Sequence, residues 1–97
     1  MAADVVNAYT LIVGDEHGPA TVSVHASAEV AWRALDAEVR SRCRMRRRPR
    51  RAVDPEAIGR LADAWRAGDL EARFWQILSH QLPVRVPDLA RPVPVVR

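Results

Sequence analysis

The residues with the clearest capacity for chemistry are arginines crowded into the middle of the chain. Residues 40–51 read RSRCRMRRRPRR and hold eight arginines and no carboxylate. The rest of the chain has seven arginines against twelve Asp and Glu, so this segment has a formal charge of +8 and the remainder −5, which gives the net +3. Such an excess concentrates positive potential on one part of a small molecule. Residues 40–51 are called the basic segment, and its arginines are Arg40, Arg42, Arg44, Arg46, Arg47, Arg48, Arg50 and Arg51.

The basic segment predicts an anionic partner. A charge run is often just a solvated helix end or loop, but eight arginines without an acid repel one another. Arginine binds phosphate through a two-pronged contact, and phosphate is the commonest anion of this kind. The first hypothesis is therefore a small protein that contacts nucleic-acid phosphates largely without sequence specificity. The alternative is a protein-interaction module, such as a phage- or plasmid-type inhibitor or antitoxin, that docks the segment on an acidic protein.

The histidines raise the question of a metal site. Zinc needs three or four ligands, which His17, His25, His80 and Cys43 would supply if the fold brought them together. We expect His17 in a turn, and His25 and His80 on strands that could be neighbours. No HxH, HxxxH or CxxC spacing supports such a site. The sequence therefore predicts no metal and no cofactor, and hydrogen-bonded or solvated histidines instead.

Two further groups could serve catalysis. Cys43 is flanked by two arginines, which favour a thiolate, but a nucleophile also needs a positioned base and donors for the developing oxyanion. Asp15 and Glu16 could act as acid and base, but they lie in the sequence GDEHGP, a turn in which polar residues are expected for any function. The four glycines are scattered and form no phosphate loop. We therefore expect no catalytic residues and no enzymatic activity.

Length and composition limit the class of protein. Ninety-seven residues, 48% of them apolar, are enough for one small domain with a thin core, to which three tryptophans must contribute much buried area. All fifteen basic residues are arginines, which a GC-rich genome explains more simply than selection for guanidinium contacts. The single cysteine excludes an internal disulfide and fits a reducing cytoplasm. No apolar run has transmembrane length and no secretory signal is visible, so we expect no membrane association.

The elements that must position these residues begin with a hairpin. Residues 9–13 read YTLIV and residues 21–25 read TVSVH, two β-type runs joined by the turn-forming sequence GDEHGPA. The second run alternates, with Val22 and Val24 on one side and polar residues on the other. This alternation predicts that one face packs on the core and the other meets water.

A first helix should follow the hairpin. Ser27 is the expected N-cap, and the apolar stripe beyond it ends at Cys43. The arginines past that point suit a helix C-terminus. Because Pro49 disfavours helical conformation in the residue before it, we expect the helix to end at or just before Arg48.

A second helix has a clearer start. Asp54 is the expected N-cap and Pro55 takes the first helical position, where its missing N–H costs nothing. Gly68 is expected to end the helix in the left-handed conformation.

The stretch after the second helix fits a strand or a helix. We predict a strand over Arg73–Gln81, because a lone hairpin is marginally stable and Phe, Trp and Ile are frequent there. In a strand Trp75 faces away from Phe74, which makes it the one tryptophan that could lie on an exposed face, with covering by the C-terminal tail as the alternative. Residues 83–97 contain four prolines and no period, which predicts an extended, polyproline-like tail beyond a domain at residues 1–82.

The predicted fold is α+β: a small antiparallel sheet in the order β-β-α-α-β with two helices packed on one face. The expected core residues are Trp32, Leu35, Ile58, Leu61 and Phe74.

This order resembles a group of small uncharacterised proteins of actinobacteria and their phages. The residues that carry the resemblance are YTLIV (9–13), the His17-Gly18 turn, TVSVH (21–25), the AxxAL-type helix VAWRAL (30–35) and FWQILSHQL (74–82). The resemblance covers about residues 8–82 and implies the same hairpin, helix, helix, strand fold. It brings no activity with it, and the basic segment and the proline-rich tail depart from its pattern.

Overall fold

Within residues 4–46 and 52–84, two helices pack on one side of a β-sheet. The computed structural model describes residues 4–46 and 52–84. These ranges form a three-stranded antiparallel sheet and two helices in the order β-β-α-α-β, which confirms the predicted α+β class. The strands are β1 (Asp4–Asp15), β2 (Gly18–His25) and β3 (Phe74–Val84), and the helices are α1 (Ala28–Arg42) and α2 (Pro55–Ala67). Neither of these two helices is long and apolar enough to cross a membrane.

β1 is the central strand, because the strand order is β2-β1-β3. Side chains alternate along each strand, and residues directly opposite one another share a face. Leu11 is opposite Ile77, and Val13 is opposite Trp75. These four side chains lie on the side of the sheet that the helices cover.

The core lies between this side of the sheet and the two helices. Leu35 and Ile58 are buried there, as predicted, while Trp32 and Leu61 are partly buried and pack against it. Each fully buried aliphatic side chain contributes roughly 1.5–3 kcal/mol to stability. The buried cluster consists of Leu11, Val13, Leu35, Val39, Ile58, Ala62 and Trp65.

The strand predicted over Arg73–Gln81 is confirmed, but its two aromatic residues are placed the opposite way. Trp75 faces the helices, with its ring centroid 5.8 Å from that of Trp32, and its Nε1 donates to Asp63 Oδ1 at 3.1 Å. The Phe74 side chain lies on the side of the sheet away from the helices, where it is 44% exposed, and its cross-strand partner on β1 is Gly14. A Cβ at Gly14 would overlap the Phe74 ring, so the glycine provides the space that this ring occupies on β1.

β2 alternates as predicted, but its valines are on the solvent side. Val22 and Val24 are 61% and 69% exposed. The register explains this, since Leu11 must face the helices and Ser23 lies directly opposite it. Pairing with β1 therefore places the polar residues of β2 toward the helices and its valines away from them.

Both predicted N-caps are present. Ser27 Oγ accepts a hydrogen bond from the Val30 N–H at 3.2 Å, and Asp54 Oδ1 accepts one from the Ala57 N–H at 3.3 Å. Each bond satisfies one of the backbone donors that the first turn of a helix leaves unpaired.

The predicted end of α1 near Arg48 is wrong, because the helix stops at Arg42. Arg44 adopts the left-handed conformation, with φ 55°. Two backbone hydrogen bonds close the helix end: Arg44 N–H to Ser41 O at 3.2 Å, and Met45 N–H to Arg40 O at 2.7 Å. This is the Schellman pattern, with an arginine in the position that glycine usually holds.

Gly68 is the C-cap of α2, but its predicted left-handed conformation is wrong, since its φ is −69°. What the glycine provides here is space. A Cβ at Gly68 would lie against the guanidinium of Arg73, which donates from Nη1 to the carbonyl of Trp65 at 2.9 Å.

Candidate nucleic-acid interface

The basic segment begins on the last turn of α1, where Arg40 is held by its own helix. Its Nε donates to Oδ1 of the buried Asp36 at 3.0 Å, and its Nη1 donates to the carbonyl of Arg46 at 3.3 Å. The pair leaves Asp36 with a neutralising partner, which a buried carboxylate requires. Arg40 therefore fixes the chain just beyond the helix end and contributes little free charge to the surface.

Arg42 is turned inward, toward the connection between β1 and β2. It pairs with Asp15 through Nη1 and donates from Nη2 to Thr21 Oγ1 at 3.2 Å. Its Nε lies 3.4 Å from the carboxylate of Glu38 without forming a hydrogen bond. With three polar neighbours and a side chain only 17% exposed, Arg42 anchors the helix end to the sheet.

A second arginine, just before β3, binds the same turn. Arg73 forms a two-pronged contact with Glu16, with Nε and Nη2 donating to the two carboxylate oxygens at 3.2 and 3.1 Å. The guanidinium carbons of Arg73 and Arg42 lie 5.6 and 6.0 Å from the ring centroid of Trp65. Cations at this distance from an aromatic face are attracted to it. The turn, α1, α2 and the start of β3 thus meet at one polar junction.

The charges at this junction shift the pKa values of its acids. The pKa of Asp15 lies below its ordinary value of 3.8, first because the His17 backbone N–H donates to it at 2.8 Å and then because of Arg42. The pKa of Glu16 lies below 4.5, chiefly because it accepts hydrogen bonds from Arg73. The same contact raises the pKa of Arg73. Both carboxylates are therefore ionised counterions at neutral pH, and a role as general acid does not fit them.

The eight arginines predicted as one binding site are thus divided by their surroundings. Arg40 and Arg42 are engaged within the molecule. Arg44 and Arg46 are exposed, and none of the ion pairs among the described residues involves them. The other four lie outside the described residues: Arg47, Arg48, Arg50 and Arg51.

The histidines and the cysteine are dispersed. His25 lies on β2 on the helix side, with Nε2 2.7 Å from Ser23 Oγ, whereas His80 lies on β3 on the opposite side, with Nε2 3.0 Å from Thr10 Oγ1. The strands of these two histidines could have been neighbours, but β1 lies between them. Across residues 4–46 and 52–84 there is no cluster of three His, Cys, Asp or Glu side chains that could hold a metal ion.

A second surface, which the sequence did not reveal, is the side of the sheet away from the helices. We call it the open face. It is lined by apolar side chains from all three strands, most of them exposed: Val6, Ile12, Val22, Val24, Phe74, Leu78 and Leu82. The signal lies in β3, whose alternation places apolar residues on both sides of the strand. One side packs on the helices, and the other side needs a second apolar surface to cover it.

The chain matches no protein-family model, no curated protein and no solved structure. The basic segment and the open face are therefore interpreted from their own chemistry.

Proposed function

We propose that this is a small, non-enzymatic, cytoplasmic protein that contacts nucleic-acid phosphates through its basic segment, largely without sequence preference. The observation that carries the proposal is the charge imbalance beyond Arg42. Residues 44–51 contain six arginines and no carboxylate. Two acids near the start of the segment, Asp15 and Asp36, already pair with Arg42 and Arg40. Residues 44–51 therefore carry six positive charges that no acid within the segment offsets.

The contacts of Arg40 and Arg42 define how the segment would be presented. They fasten its first residues to α1 and to the β1–β2 turn, so the segment leaves a fixed point on the molecule. The left-handed Arg44 then turns the chain out of the helix. Planar guanidinium groups can each bind two phosphate oxygens, and every phosphate contact releases counterions from the nucleic acid. Contacts of this type position a protein on a backbone and carry no sequence information.

The proposal is tested by comparing two triple variants of equal charge. Replacing Arg46, Arg47 and Arg48 by alanine removes three charges from the basic segment, whereas the control replaces three exposed helical arginines: Arg33, Arg60 and Arg66. Arg33 and Arg60 form only exposed pairs one turn apart, which contribute little to stability. We expect the first variant to bind duplex and single-stranded nucleic acid at least tenfold more weakly at low salt, and the control to retain most of the affinity.

Equal losses in the two variants would show that only net charge matters and would contradict a role for the segment. If neither the wild type nor the control binds DNA or RNA at low salt, the basic segment is better assigned to an acidic protein partner. That would be the inhibitor or antitoxin type of interaction, and a pull-down with and without the three alanine substitutions would identify it.

A further inference from the structure

We propose that the open face is a self-association surface, on which a second copy of this chain packs sheet against sheet. The proposal rests on the sheet and is independent of the proposed role of the basic segment. Val22 and Val24 on β2 and Leu78 on β3 flank Thr10 of β1, and all three apolar side chains are exposed. Exposed apolar patches larger than a few hundred Å² mark interaction sites in soluble proteins.

The open face approaches the minimum size of a biological interface. The β1–β3 ladder runs from the Asp4–Val84 pair to the Gly14–Phe74 pair. At a rise of roughly 3.4 Å per residue and a strand spacing of roughly 4.8 Å, three strands offer a footprint on the order of 500 Å². Two copies would bury on the order of 1,000 Å² of flat sheet area, which is the lower limit expected of a biological interface. The uneven surface of the side chains adds to this area.

The charge of the open face favours an identical partner. Between Val6 and Leu82 the register places no Asp, Glu or Arg on it, so two copies, each with a net charge of +3, would meet without repulsion at this surface. A strongly acidic or basic partner would find no complementary charge there. Obligate interfaces between copies of one chain have this apolar character.

The polar groups of the open face are compatible with burial. His80 Nε2 and Thr10 Oγ1 share a hydrogen bond of 3.0 Å, so these two groups satisfy each other within one copy. Gln76 can both donate and accept, and a two-fold axis lets the same residue of the other copy serve as its partner. Two copies of one sheet also have the same twist, which suits aligned packing about 10 Å apart. In such a dimer the helices lie outside, and so does the start of each basic segment at residues 40–46.

The test is the mass of the full chain in solution, with three single substitutions. The wild type should sediment at twice the chain mass of 10.8 kDa at micromolar concentration. Val24→Glu and Leu78→Glu each place two unpaired carboxylates in the symmetric interface, one from each copy. Each substitution should therefore raise the dimer Kd by at least about 100-fold. Val30→Glu makes the same change at an exposed position on α1, next to the Ser27 cap, and should leave the Kd unchanged.

These variants also distinguish the open face from the edges of the sheet. β2 and β3 are opposite edges, so dimerisation by strand addition at one edge would respond to one of the two glutamates and not to both. A wild type that stays monomeric at about 100 μM, a response limited to one edge, or equal effects of Val24→Glu and Val30→Glu would each overturn the proposal. If circular dichroism shows that a glutamate variant unfolds, the nearly isosteric Val22→Thr/Val24→Thr variant replaces it and should still weaken the dimer.

Discussion

At the residue scale, the β1–β2 turn depends on two acids whose partners come from distant parts of the chain. Asp15 pairs with Arg42, and Glu16 pairs with Arg73. The sequence separations are 27 and 57 residues, so no local pattern could have predicted these pairs. The sequence did indicate a polar turn, but it could not show that its acids serve as counterions. The two acids stabilise the fold because the tertiary structure places each of them next to an arginine.

These pairs predict a specific acid sensitivity. The folded-state pKa values of Asp15 and Glu16 lie below 3.8 and 4.5, so the stability they provide is complete above those values and is lost as the pH falls from there through the lowered values. The Asp15→Asn/Glu16→Gln variant should therefore have a lower urea midpoint than the wild type at pH 7, and the difference should shrink at pH 3. The measurement is urea unfolding followed by tryptophan fluorescence at both pH values.

The matched control for this prediction is Glu29→Gln/Glu56→Gln. Both of its carboxylates form exposed pairs one turn apart on a helix, so it removes the same charge away from the turn. It should lower the urea midpoint less than the turn variant does, because it removes only exposed pairs and the first-turn charges of α1 and α2. If the two double variants lose equal stability at pH 7, the turn pairs have no special role.

At the element scale, the end of α1 decides where the basic segment leaves the body of the protein. Arg44 occupies the left-handed position of the Schellman motif, which costs an ordinary residue about 1–2 kcal/mol and glycine much less. Retaining arginine there keeps a charge at the start of the exposed part of the segment. The strained backbone at Arg44 is therefore located where the proposed nucleic-acid-binding segment begins.

Two substitutions at this position separate backbone strain from charge. Arg44→Gly and Arg44→Ala remove the same charge, but only glycine relieves the left-handed conformation. We expect Arg44→Gly to be about 1 kcal/mol more stable than Arg44→Ala in urea unfolding. The two variants should bind nucleic acid with equal, slightly reduced affinity. Equal stability would show that Arg44 is not held in this conformation in solution.

The elements show how far the sequence determined the fold. The caps at Ser27 and Asp54 have local signatures, so the helix starts could be predicted. The phase of β3 could not, because Phe74 and Trp75 are both aromatic and either could face the core. The register with β1, in which Phe74 occupies the space at Gly14, settles the choice. The end of α1 was missed because a residue other than glycine closes it.

At the scale of the whole molecule, the protein presents two different surfaces on opposite layers. The basic segment starts on the helix side, where Arg42 reaches Thr21, and the apolar open face lies on the other side of the sheet. The sequence predicted the first surface from charge alone. It did not predict the second, because the strands' apolar residues were assigned to a single core. Self-association through the open face would therefore not involve residues 40–46, where the basic segment begins.

The salt dependence of nucleic-acid binding tests the central claim most directly. Fluorescence anisotropy of a labelled DNA duplex, titrated with the wild-type protein over a series of salt concentrations, gives log K against log salt. If residues 44–51 engage about four to six phosphates, the dissociation constant should be micromolar at moderate salt and the slope of log K against log salt should lie between about −3.6 and −5.4. Absence of binding to duplex or single-stranded DNA or RNA at low salt, or a slope near zero, would contradict the account.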